Sequence, residues 1–160
     1  MTATISRPKI SNWETSNIPN LTGKTALITG ANSGLGYYTA KALVEKNAHV
    51  VIACRSLEKA NQTIKKLKGL NPEGIFTPLE LDLSDLKNVV EVQSKIFDDF
   101  ENLDLLINNA GIMHPPKTLS AQGYEIQFAV NHLAHMLLTL KLLPIIEKKE
   151  ESRIVTVTSG

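Results

Sequence analysis

Residues 29–36 read Thr-Gly-Ala-Asn-Ser-Gly-Leu-Gly, and this stretch decides how the rest of the chain is interpreted. The apolar run before it, residues 24–29, predicts a buried strand, and residues 37–46 predict a helix. Such a turn is suited to holding a phosphate, because the first turn of a helix carries unpaired N–H groups and glycine permits close approach. A purely structural glycine turn is the alternative. The candidate cofactor-binding residues here are Gly30, Asn32, Ser33, Gly34, Leu35 and Gly36.

Length and composition predict one soluble domain. The chain has 160 residues and a formal net charge of +1, which gives no reason to expect nucleic acid or an anionic membrane as a partner. Its single cysteine, Cys54, excludes an internal disulfide. Residues 1–22 lack periodicity and the apolar core of a secretory signal, so we expect an N-terminal arm, or a partly disordered leader, before a domain over 23–160. We expect a cytoplasmic location.

The most apolar stretch, residues 128–146, is interpreted as a buried helix and not as a transmembrane segment, because polar residues and a proline interrupt it. Two of these, His132 and His135, have no evident third ligand, so no metal site is predicted. The same helix could serve a homo-oligomer or pack within its own chain, and both readings stay open. The interrupting residues are Asn131, His132, His135, Thr139, Lys141 and Pro144.

Strand and helix patterns alternate from residue 24 onward, which predicts a parallel sheet covered on both faces. The expected strand order is 3-2-1-4-5, with a ligand crevice beyond the carboxyl ends of strands 1 and 4, where the winding reverses. Pro78 suggests that strand 3 lies at an edge. The predicted strands are 24–29, 49–53, 75–81, 103–108 and 153–158. The later predicted helices are 57–68, 86–100 with Ser84 as N-cap, and 122–143.

The end of the second strand reads Ala-Cys-Arg-Ser, residues 53–56, with no carboxylate. A site that prefers NAD usually places a carboxylate there, whereas a guanidinium suits the 2′-phosphate of NADP. Arg55 is therefore a candidate cofactor residue, with a solvated surface arginine as the alternative. Cys54 is interpreted as a packing residue.

Two further strand ends carry candidate cofactor contacts. After strand 3, Asp82 could accept from an adenine amino group and Leu83 could cover the ring; alternatively, Asp82 only begins the turn toward Ser84. After strand 4, Asn109, Ala110 and Gly111 are small or amide residues that would let a cofactor lie against the strand tip. A tight turn without a ligand is the alternative there.

Taken together, these motifs resemble the short-chain dehydrogenase/reductase family, in its retinol dehydrogenase-like and protochlorophyllide reductase-like branch. The resemblance to the family rests on five pieces in the family's order: TGANSGLG at 29–36, Asp-Leu at 82–83, NNAG at 108–111, VNHL at 130–133 and RIVTVTS at 153–159. The resemblance to the branch rests on Ala-Cys-Arg at 53–55 together with FAVNHLAH at 128–135. It implies a Rossmann-type doubly wound sheet. It also implies hydride transfer between NADP(H) and an apolar alcohol or carbonyl substrate.

The resemblance implies two catalytic residues within the chain. Ser159 matches the serine that polarises the substrate oxygen, and Asn131 matches the helix asparagine that holds a water near the catalytic lysine. The family's Tyr-x-x-x-Lys, which follows that serine, is absent from residues 1–160. We therefore expect an N-terminal, cofactor-binding portion of a reductase with little turnover of its own. The alternative is a non-catalytic nucleotide-binding protein.

Overall fold

The computed structural model describes residues 12–158, which form a doubly wound α/β fold. All five strands are parallel, and their order is β3-β2-β1-β4-β5, as the sequence predicts. The strands are β1 (Thr25–Thr29), β2 (His49–Cys54), β3 (Phe76–Glu80), β4 (Leu105–Asn108) and β5 (Arg153–Thr156). The helices are α1 (Gly34–Val44), α2 (Leu57–Leu70), α3 (Leu86–Asp99), α4 (Ile126–Phe128) and α5 (Ala134–Ile146).

Alternation along the strands divides the core into two layers. In β1, Leu27 belongs to one apolar cluster and its neighbours Ala26 and Ile28 belong to the other, because successive strand side chains point to opposite faces. The Leu27 layer is closed by α3 and α5, through residues such as Val92 and Leu138. Helices α1 and α2 cover the opposite face. The carboxyl ends of β1 and β4 consequently meet at the point where the winding reverses.

The start of α1 and the N-cap of α3 differ from the sequence prediction. Helix α1 begins at Gly34 rather than at residue 37, so the last two glycines of the turn belong to its first turn. The N-cap of α3 is Asp85, not Ser84, because the Asp85 carboxylate accepts the Lys87 N–H at 2.9 Å. Ser84 instead donates its hydroxyl to Asp82 at 2.6 Å.

The long helix covers Ile126–Ile146 and was predicted too early, from residue 122. Glu125 caps its start, since the carboxylate accepts the N–H groups of Gln127 and Phe128. α4 continues through a π-helical turn, Ala129–Leu133, into α5, which contains Pro144 near its end. Gln122 lies outside the helix and bonds Asp85 at 2.7 Å, thereby joining this segment to α3.

By length and composition alone, this helix could cross a membrane, so our judgement that residues 128–146 are too polar to do so was wrong. Close to half of its most apolar window, 44%, is buried inside the protein. The buried face includes Ala134, Leu138 and Leu142, which belong to the core layer beneath the sheet. Core packing therefore accounts for much of the apolar character.

The described part of the N-terminal arm contacts the turn between α1 and β2. Lys46 Nζ donates to the Ser16 carbonyl at 3.1 Å, and the Leu21 N–H donates to the Lys46 carbonyl at 2.7 Å. Trp13 is 53% exposed and does not anchor the arm in the core. Residues 1–11 of the predicted arm lie outside the described residues.

Candidate functional site

A cleft of about 470 Å³ opens at the carboxyl edge of the sheet, above β1, β2, β3 and β4. Seven of the predicted site residues line it: Gly30, Asn32, Arg55, Asp82, Leu83, Ala110 and Gly111. The other lining residues are Thr29, Cys54, Lys59, Leu81, Ser84, Ile112, Thr118, Leu119, Ile126 and Val130. Four separate strand ends therefore converge on one cleft, as their positions in the sequence predict.

The glycine turn requires glycine for two different reasons. Gly30 and Gly34 have φ of +65° and +53°, in the left-handed region that other residues rarely adopt. Gly36 has ordinary helical geometry, but a Cβ there would lie 2.5 Å from Asn109 Nδ2 and 2.5 Å from the Gly30 carbonyl oxygen. The turn is thus packed directly against the segment that follows β4.

The N-terminus of α1 has the character of an anion site. Ser33, the N-cap, makes no side-chain hydrogen bond, and the first intrahelical bond runs from the Tyr37 N–H to the Ser33 carbonyl. Within residues 12–158, the N–H groups of Gly34, Leu35 and Gly36 therefore have no acceptor. A Cβ added at Gly34 would meet no atom within 4 Å. Open space and free donors together fit a phosphate group.

Two basic side chains, Arg55 and Lys59, line the cleft on the side of β2. Arg55 follows the strand directly, and Lys59 lies in the first turn of α2. Sequence reasoning missed Lys59, although its place in the sequence, four residues after Arg55 in the first turn of the predicted helix, could have indicated it. Its N–H bonds to the Ser56 hydroxyl that caps α2, which fixes where the helix starts. The two basic groups therefore share one wall.

Both readings of Asp82 have support. Its Oδ1 accepts the N–H and the hydroxyl of Ser84, at 2.9 and 2.6 Å, which is the turn-forming role. Within the described chain, its Oδ2 has no hydrogen-bond partner, and Asp82 lines the cleft beside Leu83. Asp82 can therefore shape the turn and still present one oxygen to a ligand.

Thr29, which sequence reasoning did not single out, organises the strand ends. Its buried hydroxyl oxygen accepts the N–H groups of Asn109 and Ala110, each at 2.9 Å. The Asn109 side chain returns to the Thr29 carbonyl at 2.9 Å. These bonds join β1 to the segment after β4 across the reversal point. They also show that Asn109, which does not line the cleft, contributes by holding its neighbours.

The structure places Asn131 on the π-helical turn, outside the cleft lining. Its amide group bonds the Ile112 backbone in both directions, accepting from the N–H and donating to the carbonyl, each at 2.9 Å. Asn131 thus clamps the end of the segment that Thr29 holds at its beginning. Ser159, the second predicted catalytic residue, lies outside the described residues.

Cys54 lies at the floor of the cleft but has the character of a packing residue. It is buried, and this burial raises the pKa of its thiol above the ordinary value. The thiol donates to the Ser56 carbonyl at 3.3 Å. A protonated, hydrogen-bonded thiol is a poor nucleophile. Within residues 12–158, no three metal-ligating side chains come together.

Comparison with known proteins relates this geometry to a family. A sequence profile described as "short chain dehydrogenase" matches residues 24–160. Human retinol dehydrogenase 13 is 40% identical over 137 residues, and mouse retinol dehydrogenase 14 is 43% identical over 147 residues. Each match covers 86% of this chain but only 41% and 44% of the relatives. The chain therefore spans less than half the length of these two proteins.

A solved structure shows the same fold with a ligand. A metagenomic short-chain oxidoreductase in complex with NADP superimposes with a TM-score of 0.77 at 25% sequence identity. The match covers 88% of this chain and 64% of that one.

Proposed function

The chain belongs to the short chain dehydrogenase family over residues 24–160, and from this premise we propose that it binds NADP(H). We also propose that the protein carrying it transfers a hydride between NADP(H) and an apolar alcohol or carbonyl compound. Retinol dehydrogenases 13 and 14 take their names from retinol, an apolar alcohol, which supports that substrate class. The predicted cytoplasmic location is part of this proposal, and fractionation of cells that express the protein tests it.

The observation that favours NADP over NAD is the pair of basic side chains, Arg55 and Lys59, that line the cleft. Arg55 and Lys59 lie on the β2 side, where a ribose 2′ group would be held, and the residues that end β2 include no carboxylate. A 2′-phosphate would gain charge-assisted hydrogen bonds from the guanidinium and the ammonium group. A free 2′-hydroxyl, as in NAD, would leave two cations without an anion.

When bound, the dinucleotide supplies the hydride acceptor or donor. The chain's own residues would bind and orient it. The free N–H groups at the start of α1 would hold the phosphates, and Leu83 would cover the adenine ring. Asn109 and Thr29 hold the wall of the cleft in place, while Asn131 fixes the Ile112 backbone. Ser159 would polarise the substrate oxygen, as the family resemblance implies.

Exchange of the charge at Arg55 tests the proposal. Loss of a charge-assisted hydrogen bond costs about 1.5–3 kcal/mol, so Arg55→Asp should weaken NADPH binding by roughly tenfold to a hundredfold and should spare NADH. Titration of both cofactors by calorimetry measures the ratio of their Kd values. Lys66→Asp is the matched control, because Lys66 is exposed on α2 and does not line the cleft. An unchanged ratio for Arg55→Asp would contradict the assignment.

A second candidate function is dinucleotide binding without turnover. Within residues 12–158, no tyrosine lines the cleft. Tyr37 and Lys41 have the Tyr-x-x-x-Lys spacing but lie on α1, far before Ser159 in the chain. Tyr37 packs edge-on against Tyr38, and Lys41 pairs with Glu45 at 3.7 Å. The 160-residue chain should then bind NADPH but oxidise it with no member of a panel of apolar aldehydes and ketones. Measurable turnover by this chain would exclude the second candidate.

A further inference from the structure

His135 is a buried polar residue that the proposed function does not use. It lies on α5 with 5% of its surface exposed, directly beneath the reversal point of the sheet. Its Nε2 is 2.9 Å from the Thr29 hydroxyl oxygen, and its Nδ1 is 3.3 Å from the Asn131 carbonyl oxygen. The imidazole therefore touches the two residues that hold the segment after β4 at its two ends.

Hydrogen-bond accounting at Thr29 determines which ring nitrogen carries the proton. A hydroxyl oxygen has two acceptor lone pairs and one hydrogen to donate. The N–H groups of Asn109 and Ala110 occupy both lone pairs of the Thr29 oxygen. Its hydrogen then goes to His135 Nε2 at 2.9 Å, because the competing Ile107 carbonyl lies 3.5 Å away. Nε2 is consequently the bare acceptor nitrogen, and the proton lies on Nδ1.

The Nδ1 proton completes a closed network. Nδ1–H donates to the carbonyl of Asn131, one turn earlier on the long helix. The Asn131 side chain bonds both backbone groups of Ile112. The segment from Asn109 to Ile112 is thus bonded to Thr29 at one end and to Asn131 at the other, and one imidazole joins both.

We propose that His135 is a positioning residue for Ala110 and Gly111, the part of the segment after β4 that lines the cleft. The neutral, Nδ1-protonated imidazole holds Thr29 and Asn131 at the spacing that presents Ala110 and Gly111 to the dinucleotide. The inference rests on the proposed function, because its effect is on NADP(H) binding. Ala110 and Gly111 line the cleft, while Thr29 and Asn131 reach them through hydrogen bonds. His135 itself does not line the cleft.

The groups that face the imidazole carry no charge. They are the Thr29 hydroxyl from β1, and the Asn131 carbonyl from its own helix. Burial lowers the pKa of His135, in agreement with a neutral ring. A second ring proton would point from Nε2 at an oxygen whose lone pairs are both occupied. Protonation should therefore break the link to Thr29 and weaken cofactor binding as the pH falls.

Nuclear magnetic resonance of the protein carrying isotope-labelled histidine tests the tautomer directly. We expect the His135 signals of an Nδ1-protonated neutral ring at about pH 8, with a second ring proton appearing only below the ordinary pKa of histidine. The exposed His132, which stacks on Phe128 at 5.3 Å, is the internal control. A proton on Nε2, or a doubly protonated His135 at about pH 7, would overturn the proposal.

NADPH titration of three variants tests the positioning role. His135→Phe removes both hydrogen bonds and should raise the Kd about tenfold, the equivalent of one net buried hydrogen bond, while far-ultraviolet circular dichroism stays native. His135→Gln keeps an acceptor for the Thr29 hydroxyl and should restore most of the affinity at about pH 8, without the loss that the wild type shows once the pH falls below the ordinary pKa of histidine. His132→Phe should bind as the wild type does.

Equal affinities for His135→Phe and the wild type, or equal losses for the Phe and Gln variants, would overturn the positioning role. If His135→Phe does not fold, Thr29→Ser and Thr29→Val replace it: the serine retains the hydroxyl and should bind tightly, and the valine should bind weakly. A wild-type protein that binds no dinucleotide would refute the proposed function. The magnetic resonance result would then still decide the tautomer and the Thr29 link.

Discussion

Gly36→Ala is the substitution for which the structure gives the sharpest expectation. The new methyl group would lie 2.5 Å from the Gly30 carbonyl oxygen and 2.5 Å from Asn109 Nδ2. The first neighbour is main chain and cannot rotate away. The second is held by its bond to the Thr29 carbonyl, which would have to break. The turn and the segment after β4 must therefore separate.

The size of the effect follows from three contributions. Overpacking of a closely packed contact costs about 1–3 kcal/mol, and the lost Asn109 hydrogen bond about 1 kcal/mol. The higher helix propensity of alanine returns about 1 kcal/mol at most. The net loss is about 1–3 kcal/mol of the free energy of unfolding, or about 2–12 °C in Tm for a domain of this size.

Urea denaturation followed by circular dichroism measures this loss. Gly69→Ala is the matched control, because a Cβ there meets nothing within 4 Å and the residue lies in α2. The control should leave stability unchanged or raise it by up to about 1 kcal/mol. If Gly36→Ala is as stable as the wild type, the close contact between the glycine turn and Asn109 is not a feature of the folded protein.

Three further predictions concern buried polar groups. Burial lowers the pKa values of His49 and His135, so the unfolded chain binds protons more readily than the folded protein. The free energy of unfolding should therefore have its full value above about pH 6.5 and should decrease below it, as urea titration across pH can measure. Cys54 should resist alkylation in the folded protein and react rapidly in urea, as mass spectrometry can show, and equal rates would contradict its burial. Asp104→Ala should cost about 3 kcal/mol in urea denaturation, because the carboxylate pairs with Lys24 at 3.1 Å and accepts the Thr25 N–H; a loss below about 1 kcal/mol would show that these bonds contribute little.

The sequence alone was sufficient for the strand order and for seven of the seventeen residues that line the cleft. Both follow from local patterns: apolar runs mark strands, crossover lengths require parallel pairing, and the ends of parallel strands meet at one edge. Arg55, Asp82 and Ala110 could be assigned to one site because each ends or follows a strand. The family resemblance added the expected chemistry of Ser159 and Asn131.

Helix boundaries were less predictable, because caps depend on which side chain reaches a free N–H group. Residues 82–85 contain three potential capping side chains, and only the folded geometry distinguishes Asp85, which caps α3, from Ser84, which bonds Asp82. Likewise, Glu125 and not Gln122 starts the long helix.

The sequence by itself determined a doubly wound sheet with a glycine turn between β1 and α1, and an arginine rather than a carboxylate after β2. Only the tertiary structure decided that Thr29, Asn131 and His135 form one network and that Lys59 joins Arg55 on the cleft wall. The physical reason is distance along the chain. Thr29 and His135 are 106 residues apart, and no periodicity or spacing records a hydrogen bond that exists only once β1, β4 and the long helix are packed.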